Sequence, residues 1–320
     1  QIDFTKTLTD EQVYEAIMAN YSSLSKEWIS HQWTWMNSVY STFKDHYKYM
    51  ILTCLVEKTL QFYDQMGVNY NYEEYYSKSY LHIEKFSIIN ICEKLNLPKE
   101  TVRRKILELE QLGVIKRQKK QIIIDRTAFK LIKPDNQIKL TSNYIFLVSQ
   151  ALSKNNIYST KLNPKVIENG IKKKFSITWR WFYRMQIPLV IGYEKFMHDL
   201  VGFHIWGTIA MNQVLNISKD LESKNKFPLD HKTVSDMLIK NVGTNPGVSA
   251  MSISDMTSIP RPTVVRKCTY LLKIGLIKIN SKKQYELSNL NFRKTLVYQK
   301  EVFWNKAKFI RKVLNLLVIS

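Results

Sequence analysis

Between Pro98 and Lys120 the chain sets Lys99, Arg103, Arg104, Lys105, Lys116, Arg117, Lys119 and Lys120 against only Glu100, Glu108 and Glu110. Eight cations and three anions in so short a stretch suit the holding of a polyanion rather than bond-making chemistry. A guanidinium such as Arg104 can fork onto a guanine edge or grip a phosphate, and Glu100 can accept from a cytosine amine. Thr101, in the first turn of a helix with unpaired N–H groups, suits a phosphate oxygen. A second stretch, Pro260 to Lys283, carries Arg261, Arg266, Lys267, Lys273, Lys278, Lys282 and Lys283 with no acid. Thr263 repeats the first-turn hydroxyl, and Val265, which stands where Arg103 does, offers only apolar contact, as with a thymine methyl.

Other chemistries find little support. The histidines His31, His46, His82, His198, His204 and His231 are scattered, with no metal spacing, nucleophile elbow or glycine-rich phosphate loop. Cys54, Cys92 and Cys268 form no CxxC pair, so neither zinc nor a disulfide framework is expected, and a reducing cytosol fits. No catalytic residue, metal or cofactor is therefore assigned, and the chain is not expected to be an enzyme. No secretory signal is visible. The longest apolar stretch, Leu200 to Leu215, is interrupted by His204, Asn212 and Gln213 and reads as a buried helix rather than a membrane span. The whole chain of 320 residues holds 48 Lys and Arg against 27 Asp and Glu, a net charge of +21, which again points to nucleic acid.

The elements that must present these residues can be read locally. Ser87 to Lys94 fits a short helix, with Cys92 as the small residue where a second helix approaches. Asn96 fits a left-handed turn and Pro98 the start of the next helix. There Val102, Ile106 and Leu109 face inward at spacings of four and three, and Gly113 ends the helix. Val114 to Arg117, Lys119-Lys120 and Ile122 to Ile124 then read as a β-hairpin with a basic tip. The stretch Ile259 to Lys278 aligns with Leu97 to Lys116 without gaps, 162 residues apart. The shared positions are Pro98/Pro260, Thr101/Thr263, Val102/Val264, Arg104/Arg266, Lys105/Lys267, Leu109/Leu271, Gly113/Gly275, Ile115/Ile277 and Lys116/Lys278.

The surroundings are predicted to be helical. Thr9 and Gln12 have capping-box spacing. Trp33, Met36, Tyr40, Phe43, Tyr47, Met50 and Cys54 recur at three and four, as one stripe on one long helix. The Tyr-rich stretch from Gln61 to Lys85 reads as a connector with room for a short helix. A further helix is expected over Ser142–Ser153, and a linker from Ser153 to Lys174. Trp179-Arg180-Trp181 echoes Trp33-Thr34-Trp35 at an offset of 146, so the second copy gains about 16 residues before its basic helix. Pro188 should kink or break the helix that carries it. The resulting scheme is serial: an N-terminal helix (1–24), a first repeat (25–152), a linker (153–175), a second repeat (176–290) and a C-terminal helix (291–320). Its fold class is mainly α with small β-hairpin wings, an internal duplication with long flanking helices.

Leu97-Pro98-Lys99-Glu100-Thr101-Val102-Arg103-Arg104 with Leu112-Gly113-Val114-Ile115 resembles the winged helix-turn-helix of MarR-like and GntR-like transcription regulators. Ile259-Pro260-Arg261-Pro262-Thr263-Val264-Val265-Arg266 with Ile274-Gly275-Leu276-Ile277 carries the same resemblance. It implies sequence-specific binding of double-stranded DNA in the nucleoid of the cytoplasm. The contacts it implies are Lys99, Glu100, Thr101, Arg103, Arg104, Lys105, Arg117, Lys119, Lys120, Arg261, Thr263, Val265, Arg266, Lys267, Lys282 and Lys283. Two unequal helices in one chain imply a pseudo-dimer on dissimilar half-sites. A homodimer partner or RNA polymerase is compatible with it, and the sequence identifies no small-molecule effector. The alternatives are a plasmid- or phage-type replication initiator and an architectural DNA-binding or adaptor protein.

Overall fold

The computed structural model describes residues 7–83, 87–118, 121–158, 162–224, 226, 228–240 and 246–319. The chain is mainly helical, with two small antiparallel sheets. It opens with α1 (Asp10–Ala19), α2 (Tyr21–Phe43), α3 (His46–Gln65) and the short α4 (Tyr72–Tyr76). Next come β1 (Tyr80–Ile83), α5 (Ile88–Leu95), α6 (Lys99–Gln111), β2 (Ile115–Gln118) and β3 (Gln121–Asp125). The helices α7 (Asp135–Lys154), α8 (Pro164–Lys173), α9 (Phe175–Met197), α10 (Leu200–Ser223) and α11 (His231–Lys240) follow. The chain closes with α12 (Ala250–Thr257), α13 (Arg261–Lys273), β4 (Ile277–Ile279), β5 (Tyr285–Leu287) and α14 (Asn289–Ile319).

Two compact units emerge, and neither is a continuous stretch. Unit 1 comprises Gln1–Asn37, Asn136–Ile167 and Glu194–Ser320; unit 2 comprises Ser38–Asp135 and Glu168–Tyr193. The serial boundaries expected from the sequence do not coincide with these units. The expected linker holds α8, whose Ile167 and Ile171 are buried. Polar residues, Pro164 and Gly170 suggested a linker there, but the two isoleucines, four apart, give α8 an apolar face.

In unit 2, α3 packs against α5, α6 and β1. The single aromatic stripe expected across residues 33–54 is divided between two helices. Lys44 is left-handed (φ 52°), and Asp45 caps α3 by accepting from the backbone N–H of Tyr47 (3.0 Å) and Lys48 (3.3 Å). Met50 and Cys54 remain buried on α3, and α3 itself runs on to Gln65. The Tyr-rich connector contributes more than expected: α4 buries Tyr72 and Tyr75, and β1 joins a sheet of order β1-β3-β2. Leu81 and Ile83 lie opposite Ile124 and Ile122, which gives the sheet a continuous apolar face.

In unit 1, α1 packs along α14, where Asn315 exchanges hydrogen bonds with the backbone of Leu8 (2.8 and 3.0 Å) and Arg311 meets Asp10 (2.5 Å). Thr9 and Gln12 form the capping box expected from their spacing. Pro188 lies inside α9 without ending it. The interruption comes later, at His198 (φ 74°), after which Asp199 caps α10 through the Gly202 N–H (2.7 Å). Helix α10 is largely buried and packs on α12, α13 and β5, with the Gln213 carboxamide oxygen accepting from the Leu287 N–H (2.6 Å). Strand β4 pairs with β5, and Val248 adds an isolated bridge to Tyr285. Among the described residues no helix is long and apolar enough to cross a membrane.

Candidate nucleic-acid interface

Helices α5 and α6 meet at Asn96, which takes the left-handed conformation (φ 49°) that Asn tolerates better than most side chains. Ser87 caps α5, and Pro98 (φ −58°) sits at the start of α6, where a missing N–H costs nothing. Val102, Ile106 and Leu109 are fully buried, and that apolar stripe decides which face of α6 turns outward. Gly113 ends the helix at φ 73°. Cys92, expected at the tight contact between helices, is only half-buried.

The outward face of α6 bears Lys99, Glu100, Arg103 and Arg104, all exposed, with Thr101 half-buried in the first turn. Its cations are largely answered by its own acids. Arg103 pairs with Glu100 (3.0 Å), Arg104 lies 3.8 Å from Glu108, and Arg117 from β2 forks onto Glu110 at 2.6 and 2.7 Å. Lys48 from α3 reaches Glu108 at 2.9 Å, and its hydrogen bond is the largest influence drawing the Glu108 carboxyl below its ordinary range. Lys105 is not on this face: it turns back onto the scaffold and pairs with the Asp45 carboxylate that caps α3. Lys119 and Lys120, expected at the hairpin tip, lie outside the described residues.

Unit 1 presents α13 in a comparable setting. Ser258 is left-handed (φ 59°) after α12, Pro260 precedes α13, and Gly275 (φ 75°) follows its end. Val264, Cys268 and Leu271 are fully buried. Arg261, Val265 and Arg266 are exposed and Thr263 is half-buried. The helix contains four cations and no acid, against four cations and three acids in α6. Among the described residues Arg266 has no ion pair, and Val265 is 41% exposed. Lys267 turns inward and pairs with Asp199, the cap of α10. Lys282 and Lys283 are exposed on the β4–β5 turn. Its shape is set by Asn280, whose side-chain oxygen accepts from the N–H of Lys282 (3.0 Å) and Gln284 (3.0 Å).

No side chain caps either helix, and the first-turn N–H groups of α6 remain available to an anion; in α13 Pro262 has no N–H and the Thr263 N–H donates to the Pro260 carbonyl (2.8 Å). Asp45 and Asp199 were not singled out from the sequence. Each follows a left-handed residue and precedes an apolar helix, a capping signal that is local, but its lysine partner lies 60 or 68 residues away. Lys116 was counted only as a cation; it pairs with Asp125 (3.0 Å), whose carboxyl is held down at about 2 by the Thr127 hydroxyl and then Lys116.

Four of the six histidines and two of the three cysteines are buried. His31 meets the Thr141 hydroxyl (2.8 Å), His204 meets Asn37 (2.7 Å), and His231 meets Gln299 (3.0 Å). His198 is exposed at the α9–α10 junction and stacks on Tyr270. Burial pushes the Cys54 and Cys268 thiols up to about 12, far from a reactive thiolate. Among the described residues no cluster of three or more His, Cys, Asp or Glu could hold a metal. No known protein family, curated protein or solved structure matches the chain.

Proposed function

We propose that the chain is a sequence-specific double-stranded DNA-binding transcription regulator with two winged helix-turn-helix units arising by internal duplication. One observation carries this reading. Two helices, each begun by proline and stopped by a left-handed glycine, bury an apolar stripe and turn bases outward beside a hairpin. An anchored inner face and a polar, basic outer face are what entry into a major groove requires. Arg104 and Arg266 are the shared outward cations, suited to a guanine edge or a phosphate. Lys99, Thr101, Arg117, Arg261, Thr263, Lys282 and Lys283 would fix register on the backbone. Lys105 and Lys267 would act indirectly, by holding the reading helices to α3 and α10.

The two heads are unequal, which supports dissimilar half-sites within one pseudo-dimeric chain. The face of α6 spends most of its charge on its own glutamates, whereas α13 offers unopposed cations and the apolar Val265. Selection of bound fragments from a genomic library at about 150 mM salt, where non-specific binding weakens, tests the reading. A sharp, asymmetric motif upstream of genes is the expected result. Clustering at an origin would favour a replication initiator instead, and no motif an architectural protein. Arg266→Ala should weaken binding more than Arg104→Ala; a variant that binds as the parent does would remove that helix from the interface.

A further inference from the structure

The outward face of α6 carries an arrangement that α13 lacks. Glu100, Glu108 and Glu110 stand against Arg103 (3.0 Å), Arg104 (3.8 Å) and Arg117 (2.6 Å). At the offset of 162 residues, α13 has Pro262, Tyr270 and Leu272 in those three places. The two frames are otherwise alike. Each has a proline start, a buried apolar stripe, an outward arginine, a lysine turned back onto a capping aspartate, and a left-handed glycine stop. A helix of this kind is therefore folded and anchored in α13 without the acids.

Helix stability does not account for them either. Glu108 and Glu110 occupy the last turn of α6, where the carbonyl end of a helix disfavours negative charge. Exposed ion pairs contribute little, and the Arg103–Glu100 side chains are 52% and 81% exposed. What the acids change is the field in front of the helix. Arg103, Arg104 and Arg117 each face a carboxylate within 3.8 Å, so together they offer little net charge to a phosphate. To grip DNA, each arginine must leave its carboxylate, and the freed carboxylate then lies in the negative potential of the groove. Only a hydrogen-bond donor offsets that cost, and in the major groove the donors are the exocyclic amines of cytosine and adenine.

We propose that Glu100, Glu108 and Glu110 are specificity determinants of unit 2, withholding its arginines from arbitrary duplex and releasing them where base amines face the carboxylates. The proposal rests on the DNA-binding reading of α6 and gives the two heads different work. Helix α13, with four cations and no acid, grips any duplex; α6 adds affinity only at its own half-site. On a chain of net charge +21 such rejection matters, because phosphate attraction alone holds a basic protein on every sequence and lowers the ratio of specific to non-specific affinity.

Fluorescence anisotropy on the full chain tests this with a random-sequence duplex and with a duplex selected from the genomic library. Glu100→Gln combined with Glu110→Gln keeps both side-chain shapes and removes two carboxylates; Glu108 stays, because Lys48 also uses it. At about 50 mM salt the double variant should bind random duplex roughly fivefold more tightly, since a unit charge about 7 Å from a phosphate in water is worth about two- to threefold. The slope of log affinity against log salt should steepen by up to about 0.9 for each carboxylate removed. On the selected duplex the gain should be smaller, so the ratio of specific to random affinity falls. Glu222→Gln removes an exposed acid of unit 1 that pairs with Lys26, and should alter neither affinity nor slope. Unchanged binding of random duplex by the double variant, equal gains on both duplexes, or a comparable gain from Glu222→Gln would overturn the proposal and leave the DNA-binding reading standing. A chain that binds no duplex, or selects no sequence, would refute that reading and the proposal together.

Discussion

Asp45 performs two tasks with one carboxylate, and they can be separated by substitution. It caps α3 through the Tyr47 and Lys48 N–H groups, and it receives the Lys105 ammonium from α6, with side-chain exposures of only 19% and 16%. Asparagine caps a helix as well as aspartate does, so Asp45→Asn should remove the charge and keep the cap. A hydrogen bond between charged groups contributes about 1.5–3 kcal/mol, and Glu108, 3.7 Å from Lys105, would retain a fraction of it. Asp45→Asn should therefore cost about 1–2 kcal/mol. Asp45→Ala loses the cap too, worth about 1 kcal/mol, and should cost about 2–3 kcal/mol. Combining Asp45→Asn with Lys105→Met should cost less than the sum of the two, by about 1 kcal/mol. Urea unfolding followed by far-ultraviolet circular dichroism reads the totals, and amide hydrogen exchange over residues 99–111 reads the anchoring of α6. Equal costs for Asn and Ala would refute the capping role. Additivity of the charge-removing pair to within about 0.3 kcal/mol, with α6 exchange unchanged, would refute the anchor.

Alanine at either helix stop should cost about 1 kcal/mol of left-handed strain in urea unfolding. The methyl of Gly113→Ala would meet nothing closer than Ala128 at 3.8 Å, and that of Gly275→Ala would meet, at 2.9 Å, only the tip of the exposed Leu290 side chain, which can turn away; a cost near zero at either position would contradict the strain. Lys306 is buried beneath the rings of Trp28 (3.3 Å) and Phe303 (4.2 Å), and desolvation carries its pKa well below the ordinary lysine range. The unfolded lysine binds a proton that the folded one gives up, so wild-type stability falls as pH drops below about 10.4. Lys306→Met removes this linkage and should raise stability at neutral pH by about 1–4 kcal/mol, with the gain shrinking in alkali; a destabilised variant would contradict it. Burial likewise lowers His31 and His46 to about 3. Unfolded imidazole titrates near 6.5, so each histidine's contribution is intact above that pH and declines toward pH 3, by about 1.4 kcal/mol per pH unit. His31→Gln should flatten the acid limb of the stability curve, and an unaltered slope would exclude His31 as a source.

Much of the candidate interface was legible because it is written in local stereochemistry. Thr9 with Gln12, Asn96, Pro98 and Gly113 each answer a requirement of the few residues around them, and all take the expected conformations. The spacing of Val102, Ile106 and Leu109 placed Arg103 and Arg104 outside without any knowledge of what the inner face meets. Where one period was extended too far, across Lys44 and Asp45, the stripe was misread as one helix; a left-handed residue followed by an aspartate cap resets the helical phase. Strand β1 was missed because four residues with only two inward side chains carry little pattern before β3 lies beside them.

The residues 97–116 and 259–278 by themselves determined two helices with basic outer faces and glycine stops, because helix initiation, termination and amphipathic phase depend on neighbours within about one turn. The tertiary structure alone decided which cations are available. Arg266 stays exposed while Lys105 and Lys267 are drawn onto Asp45 and Asp199, and Arg126 and Lys306 are buried among rings far away in the chain. Whether a charge faces water, a carboxylate or an aromatic wall depends on what distant segments place opposite it, and no local pattern encodes that.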